Sequence, residues 1–125
     1  MTGAFRVVGL DHVQVTAPEE LMDEVIDYYR DCLDLERLDK PEGTRPAGAW
    51  FRLGEAELHL SMDPHNPPKE AHFAISVDDF EAVIERLRTR GQHIEQAGAI
   101  PRRRRCYTRD PAGNRIEIMS YDPED

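Results

Sequence analysis

His12-Val13-Gln14-Val15-Thr16-Ala17 and, sixty residues on, His72-Phe73-Ala74-Ile75-Ser76-Val77 share one pattern: a histidine opens each run, then apolar side chains alternate with small or polar ones. Alternation of this period belongs to a strand with one face against a core, because successive side chains point to opposite sides. A second pair of runs, Leu58-His59-Leu60 and Ile116-Glu117-Ile118, matches at nearly the same offset. Self-similarity at a fixed spacing marks a duplicated unit. Each unit then carries two potential ligands, and a fold with pseudo-twofold symmetry could bring His12, His59, His72 and Glu117 to one centre.

The elements around these strands repeat as well. Val7 to Thr16 reads as a strand, and Pro18-Glu19-Glu20 opens an amphipathic stretch from Leu21 to Leu33 with apolar residues at helical spacing. Asp39 to Gly48, with two prolines and two glycines, reads as a loop, and Ala49 to Leu53, Gly54-Glu55 and Ala56 to Met62 as a hairpin. Three prolines in Asp63 to Lys69 fit neither strand nor helix, so residues 63–69 link two modules, 6–62 and 70–121, within one domain, 1–125. The second module repeats the order: strand Ala71 to Val77, helix Asp79 to Arg90 capped by Asp78 and ended at Gly91, then strands around His93, Tyr107 and Glu117. A turn at Asp110-Pro111-Ala112-Gly113-Asn114 closes the last hairpin.

On each ligand-bearing strand the polar residues share a side: His12, Gln14 and Thr16; Glu57, His59 and Ser61; His72, Ala74 and Ser76; Arg115, Glu117 and Met119. These faces are expected to line a shared cleft. Imidazole and carboxylate are the usual ligands of Fe, Mn, Ni, Co and Zn, and the donor set does not choose among them. His65 and His93 fall outside the pattern and are read as exposed.

Size and charge narrow the partners. At 125 residues the chain has the length of one domain, and its formal net charge of -9 disfavours nucleic acid and anionic membranes, leaving a small molecule as the expected ligand. No apolar run approaches the ~20 residues of a bilayer span and no signal-peptide core follows Met1 to Arg6, so a cytoplasmic protein is expected. Cys32 and Cys106 form no metal-type pair and are read as reduced thiols. The run Arg102-Arg103-Arg104-Arg105 either steers an anionic substrate or forms a solvated loop paired with nearby acids, the second being favoured. Trp50 and Phe51 lie on opposite faces of a strand, so one ring can reach the cleft, with core packing the default for either.

Four segments together resemble the vicinal oxygen chelate superfamily, the glyoxalase, bleomycin-resistance and extradiol dioxygenase family. They are Gly9-Leu10-Asp11-His12-Val13, Tyr28-Tyr29-Arg30-Asp31-Cys32-Leu33-Asp34-Leu35-Glu36, Ala71-His72-Phe73-Ala74 and Arg109 to Glu117, and the resemblance spans essentially the whole chain. It implies an α+β fold of two βαβββ modules related by pseudo-twofold symmetry, forming a cupped, barrel-like mixed sheet with the helices outside, often within a homodimer. It also implies one divalent metal ion held by His12, His72 and Glu117, with His59 as fourth ligand or acid/base. Where relatives resembling glyoxalase I carry a second acidic ligand, this chain has His59, which speaks against their reaction. Extradiol dioxygenases place a histidine near His59 and a tyrosine near Tyr107, although the upstream histidine of their signature is absent near Gly98 to Pro101. Tyr107 is thus either a donor to a substrate oxygen or a packed aromatic.

The implied function is metal-dependent catalysis on a small substrate with vicinal oxygens. Extradiol oxygenation ranks slightly ahead of isomerase, epimerase or lyase chemistry, and thiol transfer to an antibiotic epoxide comes third. The alternatives are a drug-sequestering protein that needs no metal and a metal site that is purely structural.

Overall fold

The computed structural model describes residue 4, residues 6–64 and residues 70–122. Strand β1 (His12–Ala17) leads through a 3₁₀ turn, Glu19–Leu21, into helix α1 (Met22–Asp27), which continues as a π-helical turn over Tyr28–Cys32. Strands β2 (Arg37–Leu38), β3 (Ala49–Leu53) and β4 (Ala56–Met62) complete the first module. The second comprises β5 (His72–Ser76), α2 (Phe80–Thr89), β6 (Ile94–Gln96), β7 (Arg103–Arg109) and β8 (Arg115–Tyr121). The fold is α+β, as expected.

The sheets repeat one another strand for strand, in the orders β1-β4-β3-β2 and β5-β8-β7-β6. In each, the first and last strands of the module pair in parallel and the remaining contacts are antiparallel. The registers coincide too: His59 lies opposite Gln14, two residues beyond His12, and Glu117 opposite Ala74, two beyond His72. The duplication read from the sequence is therefore a structural one.

Local chemistry sets the element ends. Helix α2 is capped by Asp79, not Asp78: the Asp79 carboxylate accepts from the Ala82 backbone N–H at 3.1 Å, while Gly91, at φ +68°, ends the helix in the left-handed region. Strand β1 begins at His12 and not at Val7, and residues 103–105 of the arginine run are strand, with Arg103 opposite Tyr121 and Arg105 opposite Met119. The hairpin β3–β4 has the predicted bounds. Gly48, at φ +94°, precedes β3 where an added Cβ would fall onto the Leu60 carbonyl oxygen.

The apolar sheet faces and the helices share one core that includes Tyr29, Phe51, Leu58, Leu60, Leu87, Ile116 and Ile118. The π turn sends two consecutive tyrosines from the first module into the second: Tyr28 Oη lies 2.9 Å from Thr108 Oγ1, and Tyr29 Oη donates to Asp110 Oδ2 at 2.7 Å. Asp110 also accepts from the backbone N–H groups of Ala112 and Asn114 at 2.9 and 3.0 Å, and from Asn114 Nδ2 at 2.8 Å. Asn114 Nδ2 reaches Thr16 O at 2.8 Å, tying the last hairpin to β1. Burial raises the Asp110 carboxyl pKa, against the opposing effect of these donors. Both cysteines are free and buried, and burial pushes the Cys106 thiol up to about 11, so it stays protonated at neutral pH.

Candidate metal centre

The polar residues occupy the sheet faces turned away from the core, and they form two clusters, one on each sheet. The first is a column of rings. Trp50 and His59, direct partners on β3 and β4, stack with centroids 3.7 Å apart and planes 6° from parallel. On the other side of His59 lies His12, with centroids 4.0 Å apart and planes at 17°. Neighbouring strands are ~4.8 Å apart, so flat side chains standing off β3, β4 and β1 meet face to face. His59 Nε2 lies 2.9 Å from Glu57 Oε1, and His12 Nδ1 lies 2.7 Å from Asp11 Oδ1. A carboxylate only accepts, so His12 carries its proton on Nδ1 and turns Nε2 to other use. Alongside, Gln14 Nε2 donates to Ser61 Oγ at 2.7 Å.

The second cluster is ionic. His72 Nδ1 lies 3.0 Å from the Glu70 carbonyl oxygen and Nε2 lies 3.1 Å from Glu117 Oε1. A carbonyl only accepts, so Nδ1 holds a proton, and an Nε2 without one would set its lone pair against a carboxylate oxygen. Two acceptors in contact need a second proton or a cation between them. Ligands about 2.0–2.2 Å from one metal, at coordination angles of 90–109°, lie roughly 3.0–3.4 Å apart, so the spacing of His72 and Glu117 fits a shared divalent ion. The proton on Nδ1, held by a backbone carbonyl, is the usual outer-shell arrangement of a ligating histidine.

Arg105 Nε donates to the second oxygen, Glu117 Oε2, at 2.9 Å, with side chains only 12% and 11% exposed. Burial alone would raise the Glu117 carboxyl, but the hydrogen bond and charge of Arg105, with His72, outweigh it and hold the group below the ordinary carboxylate range. Arg105 also donates through Nη2 to Tyr107 Oη at 3.1 Å and through Nη1 to the Gly98 carbonyl. Tyr107 sets its ring edge-to-face against His72, centroids 5.1 Å apart, beneath the Arg115 guanidinium 3.6 Å from its centroid.

The clusters stay apart within one chain: among the described residues no three His, Cys, Asp or Glu groups converge as a metal site. The predicted pairing of His72 with Glu117 is present, as is contact of His12 with His59, whereas a single four-residue centre is not. Phe51 is buried and Trp50 joins the open face, which settles the choice between those rings. His93 is exposed, with Nε2 3.8 Å from Glu95 Oε1, and His65 lies outside the described residues. Arg115 was expected on the cleft face and Arg105 only within a run that steers substrate or is solvated; the contacts of Arg105 with Glu117 and of Arg115 with Tyr107 were not anticipated. Register is what exposes them, because Arg105, Tyr107 and Arg109 share the β7 face opposite Met119, Glu117 and Arg115.

A family model for the Glyoxalase/Bleomycin resistance protein/Dioxygenase superfamily matches residues 9–118, and the chain belongs to that superfamily. Among solved structures it is similar to a glyoxalase family protein from Bacillus anthracis, 34% identical, TM-score 0.86, covering 98% of this chain and 100% of that one. Lactoylglutathione lyase from Agrobacterium tumefaciens shares the fold at 23% identity and TM-score 0.72, over 92% and 95% of the two chains. So does TnmS3, an antibiotic binding protein from Streptomyces sp. CB03234, at 20% identity and TM-score 0.76, over 94% and 99%.

Proposed function

We propose that this protein is a divalent-metal-dependent enzyme acting on a small substrate with two neighbouring oxygens, and that His12, His72 and Glu117 hold the metal. The contact of His72 Nε2 with Glu117 Oε1 supports the reading, since a proton or a cation must lie between the two atoms and a shared divalent ion fits their spacing. Two imidazoles and one carboxylate suit Fe, Mn, Ni, Co or Zn, and leave positions for a chelating substrate. Such an ion supplies Lewis acidity and, as Fe(II), redox chemistry with O₂. The chain's own residues do the positioning. Glu70 and Asp11 fix the protons of the two histidines, Arg105 holds Glu117 ionised, and Tyr107, whose oxygen accepts from Arg105, keeps its own proton to donate to a substrate oxygen. With Tyr107 beside His72, extradiol cleavage of a catechol is the first reaction to test, ahead of isomerase or lyase chemistry.

A second copy of the chain completes the centre in this reading. His12 and His72 stand on β1 and β5, the edge strands of their sheets, so each half-site lies where another molecule can reach it. Val8, Leu10, Met62 and Tyr121 are exposed near those strands or on their neighbours, as an unpaired interface would leave them.

Mixing His12→Ala with His72→Ala tests metal assignment and assembly together. Each variant alone should bind no metal. After subunit exchange, half the dimers are mixed and each has one intact centre of two, so about a quarter of wild-type metal should return. No recovery would place both half-sites in one protomer, and full binding by either variant alone would end the assignment. A wild type that binds no metal even after anaerobic reconstitution would favour a protein that sequesters a small ligand.

A further inference from the structure

We propose that His59 stands outside the metal's coordination sphere and that Trp50 and His59 are positioning residues, a ring column that holds the His12 imidazole in place. The inference rests on His12 being a metal ligand.

An imidazole binds a metal through a lone pair lying in its ring plane. His12 and His59 have planes 17° apart and centroids 4.0 Å apart. A cation ~2.1 Å from His12 and in its plane therefore lies well off the plane of His59, beyond any useful overlap with its lone pair. His59 Nε2 is also engaged, 2.9 Å from Glu57 Oε1. Nδ1 lies in the same ring plane, so the same offset holds for it, and both flat faces are covered: Trp50 at 3.7 Å and 6°, His12 at 4.0 Å and 17°.

The need for such a column follows from exposure. The His12 side chain is 40% exposed, and the Asp11 carboxylate that holds its Nδ1 is 92% exposed, so this contact alone orders the ring weakly. His59, at 13%, is the less exposed histidine and the middle of the column, with orientation fixed by Glu57 and by the indole on its other face. Order thus passes from β3 through β4 to the sheet edge. Ring stacking has no nitrogen requirement, so an aromatic ring without a lone pair should do the same work at position 59.

The test is Co(II) binding by the purified full-length protein, read as stoichiometry, affinity and the visible absorption bands that report ligand number. His59→Phe should bind one Co(II) per protomer with the wild-type spectrum and an affinity within about threefold. His59→Ala and Trp50→Leu should each weaken binding about threefold to tenfold, the range expected for a lost ring contact. The double variant should be no worse than His59→Ala alone, since both remove one column. A changed spectrum or lost stoichiometry in His59→Phe would make His59 a ligand and overturn the proposal. Wild-type affinity in His59→Ala, or independent losses that multiply in the double variant, would overturn the positioning role. His12→Ala is the control: if it binds Co(II) as the wild type does, the assignment of His12 fails and not the column.

Discussion

Glu117, the proposed ligand, is buried, and Arg105 keeps it charged there. A carboxyl in that setting would favour its neutral form, yet the guanidinium at 2.9 Å keeps it ionised. Because the folded pKa lies below the unfolded one, its contribution to stability is present above the ordinary carboxylate value and is lost as pH falls through the lowered value. Metal-free Glu117→Gln should therefore show a shallower loss of stability on acidification than the wild type, measured as denaturant midpoint against pH. An identical acid limb would mean that Arg105 does not govern the group. The neighbouring Tyr107 is, in the proposed reaction, a contact to substrate and not to metal. On the proposed catechol cleavage, Tyr107→Phe should keep full metal occupancy and lose about 100-fold in kcat; unchanged turnover would reduce the tyrosine to packing. Histidine and glutamate were legible in the sequence because they recur at matched places, whereas Arg105 was hidden in a run of four arginines. Only its register opposite Met119 separates it from Arg104, which falls on the other face and pairs with Glu81.

The modules owe their agreement with the sequence to punctuation as much as to periodicity. Gly54 and Gly91 mark a turn and a helix end at positive φ, and the predicted hairpin and helix end there. Other features had no such signal. The π turn at Tyr28–Cys32 depends on where Tyr28 and Tyr29 find Thr108 and Asp110, contacts some eighty residues away that no local window contains. Strand β2 is two residues long and is defined by its pairing with Phe51 and Trp50. Gly48 is a stronger requirement than its loop-like surroundings suggest, because β3 and β4 approach closely there in a backbone conformation that a side chain resists. Gly48→Ala should cost about 2–4 kcal/mol by chemical denaturation. A loss under ~0.5 kcal/mol would show that the hairpin can shift to admit a methyl group.

For the whole molecule, equal topology and equal register in the two sheets give each sheet one of the two polar clusters, and the apolar faces turn inward to a single core. The internal repeat was readable from the chain. That the two clusters do not converge among the described residues was not, because residue spacing says nothing of how two sheets are oriented. If centres form between protomers, metal affinity must depend on protein concentration: dilution below the dimer dissociation constant should release metal from the wild type. Retention of metal by a monomer, followed by sedimentation with metal absorbance, would contradict that. The ring column has one more consequence. Trp50 is the sole tryptophan of the 125 residues and lies against His59. Indole emission, excited selectively over the four tyrosines, therefore arises from a single known place beside the candidate centre. An ion or small molecule seated on His12, one ring away through His59, thus has a native optical reporter, without a label.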